Sequence, residues 1–174
     1  MTAAAPPALL EGAVVFTDIV GFTEYTALQG DEQALALLAV QDGFVADSLP
    51  ADGRVVKEIG DGLMLWLPDA CAALLTGLLL SQRFEEWSDE AMIPLGLRVG
   101  MNYGQFMRRG DDLVGHCVNV ASRIVNVAGP GEVLVSETVV GRVNDQLEGV
   151  LFDELGPVVM KGVPEPVRLF RAHR

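Results

Sequence analysis

Four short stretches of this chain carry residue types that could do chemistry together. The first is Asp18, in Phe16-Thr17-Asp18-Ile19-Val20-Gly21-Phe22-Thr23. The apolar, β-prone run Ala13 to Thr17 ends there, and a helix-like pattern begins at Thr23. Ligands of α/β folds gather at strand ends of this kind. The backbone amides of Ile19, Val20, Gly21, Phe22 and Thr23 can face an anion at a helix N-terminus. A carboxylate in the same place could hold a metal that bridges to that anion. Taken alone, Asp18 also reads as a helix cap.

The second is Asp61, in Lys57-Glu58-Ile59-Gly60-Asp61-Gly62. Glycine on either side permits a sharp turn and leaves the carboxylate uncrowded, although an Asp-Gly hairpin turn has the same signature. Two carboxylates on separate strands suit a hard cation such as Mg²⁺, which takes one or two carboxylates plus phosphate oxygens. The third is Asn119-Val120-Ala121-Ser122-Arg123. On a helix, Asn119 and Arg123 share a face. A neutral donor beside a fixed cation suits charge developing on a phosphoryl group, and a solvated polar stripe looks the same. The fourth is Lys161, just before the turn Gly162-Val163-Pro164. By itself it is an ordinary surface lysine.

The elements that must position these residues can be read coarsely. Strands are expected at Ala13–Thr17, Arg54–Ile59, Leu63–Leu67, Leu95–Tyr103 and Val133–Val135, with a closing hairpin from Phe152–Met160 and Val167–Arg171. Helices are expected from Thr23, from Asp31 as N-cap to about Val45, over Ala70–Trp87 behind Pro68-Asp69, over Val118–Val127 and from Ser136. Phe106 to Val114, with Arg-Arg-Gly-Asp-Asp, reads as a hairpin tip and its return. Strands and helices alternate while several strand pairs share tight turns, which favours α/β with a mixed sheet.

Composition narrows the class. The chain has 174 residues, half of them apolar, and a net charge of -12. One ordinary folded domain fits that length. The acidic balance argues against a nucleic-acid binder and against docking on an anionic membrane. The apolar stretch Ala70–Leu80 is too short to span a bilayer. Cys71 and Cys117 lack ligand spacing and read as reduced thiols. Among 12 basic residues only Lys57 and Lys161 are lysines. Lysine is a compact point charge where arginine is a planar fork, so its survival at two positions matters.

In this order, Phe16 to Thr23, Lys57-x-x-Gly60-Asp61-Gly62, Gly115-x-x-Val118-Asn119-x-Ala121-x-Arg123 and Lys161-Gly162 resemble the catalytic domain of class III nucleotidyl cyclases. The likeness runs from about Gly12 to Phe170. It implies an α/β (α+β) fold with a ferredoxin-like βαββαβ core and a mixed, mostly antiparallel sheet. Residues 12–174 would form the catalytic domain, and residues 1–11 a flexible tail or linker remnant.

The resemblance also implies roles. Asp18 and Asp61, with the backbone carbonyl of Ile19, look like the ligands of two divalent ions, Mg²⁺ or Mn²⁺. One ion would acidify the ribose 3′-hydroxyl and the other would hold the triphosphate. The backbone from Ile19 to Phe22 would meet metal and phosphates. Arg123 looks like the residue that meets the phosphoryl charge, Asn119 the one that orients the ribose, and Lys161 a contact to the terminal phosphates. Lys57 and Asp112 match the purine-selecting positions, with Asp111 adjacent; Gly115 and Asn119 downstream favour Asp112. Lysine only donates and ionised aspartate only accepts. Adenine offers an acceptor at N1 and a donor at N6, whereas guanine would leave both side chains mispaired.

The implied activity is ATP to 3′,5′-cyclic AMP and pyrophosphate in a homodimer with two shared active sites. Asp18 and Asp61 of one subunit would face Lys57, Asp112, Asn119, Arg123 and Lys161 of the other. Alternatives are a guanylate or dual-specificity cyclase and a non-catalytic nucleotide-binding regulator. A receiver-like phosphoacceptor has no place for the Gly60-Asp61-Gly62 hairpin or the Asn119/Arg123 helix. The short Phe106–Leu113 segment implies a stubby dimerisation arm. A cytoplasmic placement is expected, for a free enzyme or for a catalytic portion excised from a longer protein.

Overall fold

The structure is a computed structural model and describes residues 6–174. Its strands are β1 (Ala8–Val20), β2 (Arg54–Ile59), β3 (Gly62–Leu67), β4 (Gly96–Arg109), β5 (Asp112–Val114), β6 (Val133–Ser136), β7 (Leu151–Val158) and β8 (Val167–His173). Its helices are α1 (Phe22–Gln29), α2 (Asp31–Ser48), α3 (Ala70–Ala91), α4 (His116–Val127) and α5 (Glu137–Val143). The sheet runs β2-β3-β1-β4-β6-β8-β7, with β5 folded back on β4. Neighbours pair antiparallel except β4 and β6. The first four of these strands reproduce the order of a ferredoxin-like βαββαβ core, as expected.

The central strand β1 is longer than its apolar run suggests. Residues 8–11, expected in the tail, pair with Arg108 to Gln105 of β4. Their burial alternates, so one face of each residue pair stays wet. Asp31 is also not the N-cap of α2; Gly30 holds that position and Asp31 lies in the first turn, where its charge still complements the helix dipole. Asp69 does cap α3, accepting the Ala72 N–H at 2.7 Å. Among the described residues no helix is long and apolar enough to cross a membrane.

Alternation along β1 sorts its side chains onto two faces. Ala13, Val15 and Ile19 join Leu37 of α2, Leu74 and Phe84 of α3 in the main core. Val14 and Phe16 point the other way and pack with Met64 of β3 and Cys117, Val118, Ala121 and Val125 of α4. Asp18 shares parity with this second set, so it emerges on the α4 side of the sheet. Helix α4 lies so close to β4 that a Cβ on Gly100 would collide with the backbone nitrogen of Val125. Glycine at that position is what allows the helix to seat.

Candidate active site

Asp18 and Asp61 meet at the α4 side of β1. The tip of the β2–β3 hairpin carries Asp61, and Gly62 beside it passes so near β1 that a Cβ would strike the Thr17 carbonyl oxygen. That approach lets Asp61 Oδ2 accept the backbone N–H of Ile19 at 3.2 Å. Gln41 Nε2 of α2 donates to the Asp61 carbonyl at 3.3 Å and steadies the tip from behind. The Asp61 carboxyl is pushed above its ordinary value, first by burial and then by the charge of Asp18.

The two carboxylates share a recess of about 230 Å³ with Ile19 to Thr23, with Glu24, a third acidic residue, and with Arg98. The Ile19 side chain is buried in the core, so only its backbone faces the recess. Its N–H is already engaged by Asp61, which leaves the amides beyond it for an incoming anion.

Arg98 was not among the residues the sequence singled out. It stands directly across the β1–β4 ladder from Asp18. Its Nε donates to Asp18 Oδ2 at 2.8 Å and its Nη2 lies 2.6 Å from the same oxygen. The available signal was a lone arginine inside the apolar strand Leu97-Arg98-Val99. A charge there needs a partner, and the ladder supplies one.

Lys57 and Asp112 form a second cluster. Lys57 Nζ donates to Asp112 Oδ2 at 2.8 Å. Asp112 Oδ1 accepts the Leu113 N–H at 2.8 Å, which fixes the carboxylate's orientation. The ion pair with Lys57 holds the Asp112 carboxyl below its ordinary value. Asp111 instead occupies the hairpin tip between β4 and β5. A bulge in β2 brings Lys57 to this side of the sheet. The register passes from Val55 opposite Leu65 to Lys57 opposite Met64, with Val56 as the extra residue. Met64 belongs to the α4-side core.

Asn119 and Arg123 are both exposed on α4, while Val118, Ala121 and Val125 bury the opposite face. Arg123 borders a groove of about 260 Å³ whose other wall includes Asp18, Ile59 and Gly62. Lys161 is exposed in the turn after β7. Neither that groove nor the aspartate recess is lined by Lys57, Asp112, Asn119 or Lys161. A single chain thus gathers the acidic half of the expected site around Asp18 and Asp61, places the Lys57–Asp112 pair elsewhere, and leaves Lys161 apart.

The donor set fits a hard divalent cation: two neighbouring carboxylates, one with its proton affinity raised by burial and by the charge of the other, and oxygen ligands throughout. No group of three or more His, Cys, Asp or Glu could cage an ion among the described residues. Ligands from a bound polyphosphate would complete the shell.

The end of β1 thus brings Asp18 beside Asp61 of the β2–β3 tip, in a mostly antiparallel sheet flanked by the polar outer face of α4. Residues 10–172 match the family described as Adenylate and Guanylate cyclase catalytic domain, and the chain belongs to it. It is 34% identical over 170 residues to the pH-sensitive adenylate cyclase MT1302 of Mycobacterium tuberculosis, covering 97% of this chain and 42% of that protein. It is 37% identical over 124 residues to an adenylate cyclase of Streptomyces coelicolor, covering 71% of this chain and 32% of the relative. The adenylyl cyclase CyaB from P. aeruginosa has the same fold, with a TM-score of 0.86 at 22% identity over 98% of this chain and 97% of that one. The chain spans less than half the length of these two curated relatives.

Proposed function

We propose that the chain converts ATP to 3′,5′-cyclic AMP and pyrophosphate, at sites shared between two copies. The observation that carries the choice of base is the Lys57–Asp112 pair at 2.8 Å. It sets one obligate donor beside one obligate acceptor, the complement of adenine N1 and N6. The similarity to adenylate cyclases of other organisms points the same way.

In the reaction, the ribose 3′-oxygen bonds to the α-phosphorus as the bond to the pyrophosphate oxygen breaks. The hydroxyl proton passes to solvent. Asp18 and Asp61 would hold divalent ions, which supply a more acidic 3′-hydroxyl and charge balance on the phosphates. The amides beyond Ile19 receive phosphate oxygens at the N-terminus of α1. Arg123 meets charge building on the α-phosphoryl group, and Asn119 on the same helix face holds the ribose. Lys161, on its exposed turn, reaches the terminal phosphates. Because one chain separates the acidic recess from Lys57 and Asp112, two copies facing each other would complete two equal sites.

Product analysis tests the reading: purified chain with ATP or GTP and Mn²⁺, the nucleotide products separated and identified. Cyclic AMP from ATP, at a rate far above cyclic GMP from GTP, is expected. A comparable GTP rate would sink the base-reading role of Lys57 and Asp112. Nucleotide binding with no cyclic product would make the chain a non-catalytic binding domain.

A further inference from the structure

The carboxylate best placed to take a metal already holds a cation. Arg98 sets its guanidinium on a single oxygen of Asp18: Nε donates to Oδ2 at 2.8 Å and Nη2 lies 2.6 Å from it. A charge-assisted hydrogen bond of this kind is among the stronger ones in proteins. The pair is only partly exposed, at 25% for Arg98 and 29% for Asp18, so water screens it incompletely. A divalent ion that needs Asp18 Oδ2 must displace the guanidinium and then sit beside its positive charge. An ion arriving alone gains little there.

An anion changes the balance. The recess that contains Asp18 and Asp61 also contains Arg98, Glu24 and the residues that open α1, whose first N–H groups have no partner within the helix. A polyphosphate in it gives the guanidinium another acceptor. The other edge of the guanidinium is held too: Arg98 Nη1 donates to the Asn126 carbonyl in the last turn of α4 at 3.5 Å. That helix end carries a partial negative charge, so the cation keeps a counter-dipole when it leaves Asp18.

We propose that Arg98 gates the metal site: it occupies Asp18 in the nucleotide-free protein and yields only to a divalent ion and a polyphosphate together. The gate rests on the reading of this recess as the metal and phosphate site. It makes metal and nucleotide binding positively coupled through one side chain, and such coupling is reciprocal.

Two measurements on the full chain test it. In ¹⁵N NMR, the Arg98 Nε–H signal, assigned by its loss in Arg98→Lys, is followed during addition of Mg²⁺, pyrophosphate or both. The gate requires that Mg²⁺ alone leaves it in place and that the mixture moves it. A shift with Mg²⁺ alone overturns the gate, as does an unmoved signal when both are bound. Separately, free Mn²⁺ is counted by EPR without nucleotide. Arg98→Gln should bind Mn²⁺ about tenfold more tightly than the parent, the scale of a hydrogen bond to a charged group. Equal or weaker binding overturns the gate. Thermal unfolding of both variants checks that the fold is kept.

The controls separate this inference from the one beneath it. If Asp18→Asn removes Mn²⁺ binding and the parent forms cyclic AMP, the site reading stands whatever Arg98 does. If the parent and Arg98→Gln both fail to bind Mn²⁺ with pyrophosphate present, the recess is not a metal site and both readings fall.

Discussion

Lys57 Nζ lies 2.8 Å from Asp112 Oδ2, joining residues 55 apart in sequence into one donor–acceptor pair. The pair forms within a single chain, between β2 and β5, before any base arrives. Both side chains are 43% exposed, so the pair is open to a ligand edge and adds little to stability. Its value is in arrangement: each group holds the other in place, and in the proposed reading that place is for a purine. Reversing the charge in Lys57→Glu would set two carboxylates face to face. The expected outcome is a loss of ATP turnover of 10²-fold or more, with the dimer unchanged in sedimentation. Unchanged ATP turnover would remove the base-reading role.

The same pair sets a pH dependence. Lys57 lowers the Asp112 carboxyl below its ordinary value. A depressed carboxylate contributes its interaction above the ordinary pKa and loses it as pH falls through the lowered one. The ion pair should therefore persist at pH values where exposed aspartates are already half protonated. Carbon-detected NMR titration of Asp112 measures this directly. In Lys57→Met its midpoint should rise back toward the model-peptide range near 3.8.

Asn119 and Arg123 stand exposed on α4 with their neighbours Val118 and Ala121 buried. Truncating either should therefore leave the helix seated. Asn119→Ala and Arg123→Ala should each lower kcat by roughly 10²-fold or more, with KM for ATP changed far less, because their bonds strengthen as charge develops. An equal rise in KM with kcat intact would assign them to ground-state binding instead.

Gly100 marks the contact between β4 and α4. A side chain there meets the Val125 backbone, which cannot swing aside. Gly100→Val should cost about 1–3 kcal/mol or more, read from urea unfolding. It should also displace Arg123, so activity is expected to fall further than stability alone explains. A fully stable, fully active Gly100→Val would mean that α4 seats differently.

Sites shared between copies predict that specific activity rises with protein concentration and then saturates. Mixing Asp18→Asn with Lys57→Glu should restore part of the activity that each lacks alone. One of the two sites in such a mixed dimer would combine an intact Asp18 with an intact Lys57. Failure to complement, with both variants folded, would place the whole site within one chain.

Much of this was legible in the sequence because it is local. The strand-to-helix turn at Asp18, the Gly60-Asp61-Gly62 tip and the i, i+4 face of Asn119 and Arg123 each lie within a few residues. The helices and most strands followed from apolar spacing for the same reason. What escaped depends on pairing across the sheet. Arg98 becomes a site residue only because the ladder sets it opposite Asp18. Residues 8–11 look like tail until β4 extends far enough to pair with them. Gly30 rather than Asp31 caps α2 because the chain turns there with a positive φ of 88°, which propensity for an acidic cap does not register.

The bulge at Val56 has a consequence of parity. Strand positions alternate between two faces, so one supernumerary residue exchanges odd for even from that point on. Were the same residues to run in regular alternation, Val56 would take the place opposite Met64 and Lys57 would turn toward the α2 and α3 side, away from Asp112. Val55 and Lys57, two apart in sequence, take opposite faces because the residue between them has no partner of its own. If the pair reads a purine as proposed, base choice rests partly on that one unpaired residue.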